Sequence, residues 1–383
     1  MENPKIRFKG FTKDWEQRKV SELCSISTGK SNTQDKVEDG EYPFYVRSPI
    51  IERSTKYLYD EEAVLTVGDG VGTGKVFHYV NGKYDLHQRC YRMYDFTDEL
   101  NAHYFYHTFS KLFYKRVMAM TAKTSVDSVR LEMIADMEIP APKIDEQIKI
   151  GTYFDNLDHL ITLHQRKCEQ TKNLKKYMLQ KMFPQNGAKV PEIRFNGFTH
   201  DWEQRKFGSL LEETRNKTIF EDEDTLLSCA IDGMYLNSEL FSHFRGSSNI
   251  GYLKVKKNDL ILSAQNLHLG NCNVNLRFEH GIISPAYKVY ELVGCNPLFM
   301  QAWVKKDSTK DFFLKSSTEG ASVCRKNIVW EELYKQELPV PSIEEQTKVG
   351  EYFSNLDHLI TLHQRQCDEL KKMKKYMLQN MFI

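Results

Sequence analysis

The run NLDHLITLHQR stands at Asn156–Arg166 and again, letter for letter, at Asn355–Arg365. A chain that keeps one helix-like run in duplicate while the segments between differ is one module written twice. The repetition extends beyond the run. IRFKGFTKDWEQRK at Ile6–Lys19 returns as IRFNGFTHDWEQRK at Ile193–Lys206, an offset of 187 residues. Pro140–Phe183 returns at Pro339–Phe382, an offset of 199, with 30 of 44 positions identical. The 12-residue difference falls in two variable regions, Val20–Ile139 and Phe207–Leu338. Each module is thus a leading segment, a variable domain and a long helix. The expected divisions are 1–139 for the first leading segment and domain, 140–183 for the first helix, 184–192 for a Pro/Gly linker, 193–338 for the second leading segment and domain, and 339–383 for the second helix.

The helical segments carry apolar residues stepping alternately by four and three, the period of a coiled-coil seam. In the first copy the seam is Ile150, Phe154, Leu157, Ile161, His164, Cys168 and Met178; in the second it is Val349, Phe353, Leu356, Ile360, His363, Cys367 and Met377. Each follows a proline pair, Pro140/Pro142 or Pro339/Pro341, which suits the approach to a helix and not its interior. An exposed stripe of this kind must be buried, and its twin is the nearest partner. The expected fold is α+β: two mixed α/β domains separated by two long antiparallel coiled-coil helices, related by an approximate two-fold axis.

Composition excludes several classes. No apolar run approaches the ~20 residues of a membrane span, and the N-terminal stretch has no signal-peptide core. Eight cysteines at irregular spacings, without any CxxC pair, argue for reduced thiols in a cytoplasm. TVGDGVGTGK at Thr66–Lys75 fails the phosphate-loop spacing, with Asp69 where a glycine is needed and Val76 where Ser or Thr is needed. Asn296-Pro297-Leu298-Phe299 approaches an adenine-methyltransferase motif, but Leu298 replaces a required proline, so a turn opening a helix is expected. His164, Cys168, His363 and Cys367 have a spacing that two zinc ligands on one helix face can share, but a seam layer of small side chains is the plainer account and no metal is expected. The chain shows no chemistry of its own.

Charge leaves nucleic-acid binding open. Val20–Ile139 carries a net −4, Phe207–Leu338 a net −2, and the remainder a net +7, whereas nucleic-acid binders usually show a basic footprint. The local candidates are polar loops and basic clusters. Thr66, Asp69 and Lys75 lie in a glycine-bearing loop after an apolar run, and Ser263, Gln265, Asn266, His268 and Asn271 form its rough counterpart in the second module. Further clusters are His87, Gln88 and Arg89; Lys111, Lys115 and Arg116; Lys123, Thr124, Ser125 and Arg130; and Ser322, Arg325, Lys326 and Asn327.

The two leading segments and the helix starts IPAPKIDEQIKIGTYFDNLD and LPVPSIEEQTKVGEYFSNLD share a P-x-P…EQ…G…F…LD pattern at the end of each half. In this the chain resembles the specificity subunits of Type I restriction-modification systems over essentially its whole length. The resemblance implies that the variable regions are target recognition domains, each reading one half of a split, asymmetric DNA sequence. It implies that the helices are spacers that also bind two modification (methyltransferase) subunits, with restriction (motor/endonuclease) subunits joining the full complex. The chain itself would be non-catalytic, and S-adenosylmethionine, ATP and magnesium would belong to the partners. The competing readings are a stand-alone methyltransferase or nuclease with unfamiliar motifs, and a tethering protein that binds no DNA.

Overall fold

The computed structural model describes residues 4–70, 72–120, 128–242, 248–322 and 325–382. The chain forms two compact units, Met1–Gln165 with Arg365–Ile383, and Arg166–Gln364. The boundaries cut across both long helices, so each helix has one part in each unit. The helices span Ile144–Lys181 and Ile343–Asn380, 38 residues apiece. The residues just before them are strands. Glu138–Ala141 pairs with Glu16–Lys19, and Glu337–Val340 pairs with Glu203–Lys206, so the repeated EQRK of each leading segment is stitched to its own helix start. Pro140 and Pro339 sit in these two-stranded edges, where a missing N–H is tolerated. Among the described residues no helix is long and apolar enough to cross a membrane.

In the first unit a six-stranded sheet runs in the order Ser25–Thr28, Cys90–Tyr94, Tyr59–Val67, Phe77–Leu86, Tyr42–Tyr45, Ile51–Ser54. Its pairings are antiparallel except that Tyr42–Tyr45 lies parallel to Phe77–Leu86. The helix Ala102–Met120 covers one face through Phe105, Phe109, Phe113 and Val117, all fully buried. In the second unit a four-stranded sheet, Leu211–Thr214, Tyr287–Leu292, Leu260–Ser263, Cys272–Val274, packs against the short helices Pro297–Val304 and Asp307–Lys315.

Different strands are thus attached to one frame. Arg7 donates twice to Glu146, at 2.7 and 2.8 Å, and Arg194 donates twice to Glu345, at 2.7 Å each. Gln147 accepts from the Asn101 amide and donates to Pro142, while Gln346 accepts from the Asn296 amide and donates to Pro341. Gly151 lets its helix approach the backbone of Tyr104, and Gly350 does the same at Leu298 and Phe299. The repeated E-Q…G pattern is therefore a docking device: charge pair, backbone clamp and close approach.

Within each unit the two helix segments run antiparallel. In the first, Phe154 packs on Phe382 and Asp158 takes Lys374 at 2.5 Å. In the second, Phe183 stacks on Phe353 and Asp357 takes Lys175 at 2.5 Å. The tail of each helical copy, Met182-Phe183 or Met381-Phe382, completes the core in which the other copy begins.

Candidate nucleic-acid interface

The strand Tyr59–Val67 runs out of the first sheet into the glycine-bearing loop 68–75. Gly70 and Gly74 take φ of +85° and +67°, backbone that favours glycine, so the turn needs them. Two neighbours are tied to the loop's start: the Gly68 amide donates to Arg89 O at 2.8 Å, and the Val129 amide donates to Gly68 O at 2.7 Å. The expected clusters at 66–75 and 87–89 thereby converge with the segment 128–130 that carries Arg130. Asp69 faces Arg47 at 3.3 Å and Arg89 at 3.7 Å. Lys75 lies over the Tyr114 ring and Arg130 is exposed.

The second unit repeats the arrangement with unrelated side chains. Leu260–Ser263 runs into the loop 264–271, and the Lys326 amide donates to Gln265 O at 3.1 Å, joining that loop to the hairpin Ser317–Ser322/Arg325–Ile328. Gln265 and Asn327 are exposed, and Asn266, Asn271 and Lys326 are half-buried. Ser322 and Arg325 face each other in that hairpin's register.

Several placements differ from the sequence expectation. Thr66 is buried and donates its hydroxyl to Val76 O, because it lies on the inward face of a central strand. Ser263 is buried too, its hydroxyl accepting from the Asn266 amide, and His268 is buried in the short turn that follows. These three shape their loops from inside and do not reach the surface. Lys123, Thr124 and Ser125 lie outside the described residues. Asn296 opens the helix Pro297–Val304, its side chain accepting from the Leu298 and Phe299 amides, as expected of a turn that starts a helix.

Ile150, Phe154, Leu157, Ile161, Cys168, Val349, Phe353, Leu356 and Cys367 are buried, and His164, Met178, Ile360, His363 and Met377 are half-buried. The Cys168 thiol points at Ile360 O and Gln364 Oε1, at 3.9 and 3.8 Å. Among the described residues no group of three or more His, Cys, Asp or Glu is placed to hold a metal ion.

Sequence reasoning missed Arg47 and Asn32. Arg47 follows the strand Tyr42–Tyr45, and only that strand's parallel pairing with Phe77–Leu86 brings it to Asp69. No local pattern announces such a pairing.

Two units, each presenting polar loops from a small sheet on a shared helical frame, define a class of paired recognition proteins. Residues 12–173 match the family described as Type I restriction modification DNA specificity domain. The chain is 22% identical to the Type I restriction enzyme MjaVIII specificity subunit of Methanocaldococcus jannaschii, across 94% of this chain and 90% of that one. It is 25% identical to the EcoDI specificity subunit of Escherichia coli, across 47% of this chain and 40% of that one. In fold it is similar to the crystal structure of a Type I restriction-modification S subunit from M. genitalium, with a TM-score of 0.71, 15% identity, and 100% and 99% of the two chains covered.

Proposed function

We propose that this chain is the non-catalytic DNA-reading subunit of a Type I restriction-modification complex, each unit reading one half of a split, asymmetric target. One observation carries the reading. The frame contacts recur residue for residue, Arg7–Glu146 with Arg194–Glu345 and Gln147 with Gln346, while the loops they support share no side-chain pattern. Constant sockets holding different polar loops are what two different half-sites require. Arginine pairs with guanine, and asparagine or glutamine with adenine, in the major groove. Acidic domains then rely on local patches and on partners for phosphate affinity.

The helices supply equivalent docking faces. Leu160 and Leu359, Leu174 and Met373, and Tyr177 and Tyr376 occupy matching positions in the two copies, and all six are exposed. Repeated apolar residues left in solvent at matching positions fit two copies of one modification subunit, with restriction subunits joining later. S-adenosylmethionine, ATP and magnesium act in those partners, and the complex works in the cytoplasm.

The test is methylome sequencing of cells with and without this chain, beside a methyl-transfer assay on the isolated chain. We expect a split motif that vanishes with the chain, and no transfer by the chain alone. Methylation by the isolated chain would overturn the reading in favour of a stand-alone enzyme.

A further inference from the structure

In the first unit, Asn32, Thr33, Gln34, Arg47, Gln88 and Arg89 line a basin of about 430 Å³ with buried His87 at its floor. The turn carrying Gln88 and Arg89 is pinned along its backbone. The His87 amide donates to Tyr45 O at 2.9 Å, the Gln88 amide to Ser31 O at 2.8 Å, and the Arg89 amide to His87 Nδ1 at 3.0 Å. Ser31 is fixed in turn by its hydroxyl on the buried Asp85 carboxylate, at 2.7 Å. A rigid turn with two polar side chains held outward is suited to reading a surface rather than to closing over a small molecule.

The side chains divide by chemistry. Gln88 donates its amide to Asn32, so two amides of the kind that read adenine stand together. Arg47 and Arg89, about half and two-thirds exposed, both face the single carboxylate of Asp69. One carboxylate between two guanidinium groups restrains both without neutralising both.

We propose, on the strength of the recognition role above, that this basin reads base edges of one half-site, with Arg47 and Arg89 directed to guanine, Gln88 with Asn32 directed to adenine, and Asp69 as the residue that positions the arginines. The half-site read by the first unit then holds at least one G·C and one A·T pair. Asp69 serves specificity at the expense of affinity. As the duplex docks the arginines exchange its carboxylate for guanine, and away from guanine they return to it.

The test uses the complete complex with its modification subunits and compares the methylated motif for the parent, Gln88→Ala, Arg89→Ala and Asp69→Asn. Gln88→Ala should relax one A·T position and Arg89→Ala one G·C position, each losing roughly 5- to 150-fold in discrimination, the range for one bidentate base contact. The other half of the motif should stay as it was. Asp69→Asn should move two readouts in opposite directions, tighter binding to random-sequence duplex and weaker discrimination at the G·C position. A residue that merely holds the fold would weaken both. Uniform weakening on all sequences, with a shallower salt dependence and an unchanged motif, would make these residues phosphate contacts and overturn the proposal. If Arg89→Ala fails to assemble, Gln88→Ala decides alone. A parent complex that methylates no split motif refutes the recognition role itself. A parent that does so, with variants that leave the motif intact, refutes only this inference.

Discussion

Gly151 and Gly350 show how single positions set the frame. A Cβ on Gly350 would stand 2.7 Å from both Leu298 Cβ and the Phe299 amide nitrogen, whereas one on Gly151 would meet its nearest atoms at 3.0 Å. Gly350→Ala should therefore lose on the order of 1–3 kcal/mol to overpacking, and Gly151→Ala less, as read by thermal or denaturant melting. Equal, negligible effects would mean that the helix can lift away freely. His103 adds a pH dependence. Its hydrogen bond to Asp155 raises its pKa, while burial lowers that of neighbouring His107, which shares the same carboxylate. A raised histidine stabilises the fold fully below its unfolded value of about 6.5 and loses that contribution as pH rises through its folded value. The stability difference between the parent and His103→Gln should accordingly be larger near pH 6 than near pH 8.5. A difference that grows with pH would mean that His103 is held neutral.

At the scale of elements, the seam was legible and most strands were not. Ile150, Phe154 and Leu157 announce a helix face because their period is local and spans many turns. Ile161 lies buried on the same face, so Ile161→Asp should cost several kcal/mol by placing an unpaired charge in a dry interface. A variant that melts like the parent would remove this face from the seam. The Lys175–Asp357 and Lys374–Asp158 pairs lie on the seam's margin, with the aspartates half-exposed. Lys175→Ala should therefore cost at most about 1 kcal/mol. Leu211–Thr214 is four residues long and fixed by partners 75 or more positions away. Tyr42–Tyr45, though it forms a hairpin with Ile51–Ser54, is set into its sheet by partners 41 positions away, so no short window of sequence contains the placement of either strand. The loops after Val67 and Ser263 could be found as polar, glycine-bearing breaks after apolar runs. Which of their residues face outward could not, because strand register decides it and put Thr66 inside.

At the scale of the molecule, the duplicated letters and the compact units do not coincide. The sequence module ends with its own helix, but each folded unit ends with the tail of the other module's helix, Phe382 on Tyr104 and Phe183 on Phe299. This exchange explains why the helical copies stay alike: each must fit the core of the other module as well as its own. It also leaves the variable domains room to differ, since the strands Glu16–Lys19 and Glu203–Lys206 and the E-Q…G docking residues join them to the helices in the same way in both copies. Target choice should therefore move with residues 20–139 or 207–338 as separable pieces. The most direct measurement is single-molecule sequencing of DNA modified by a complex in which Val20–Ile139 has been replaced by the corresponding region of another specificity subunit. We predict a motif with one half replaced, the other half retained, and each half distinct from the other. A motif altered in both halves, or an assembled complex with its original motif, would contradict the assignment of one half-site to each unit.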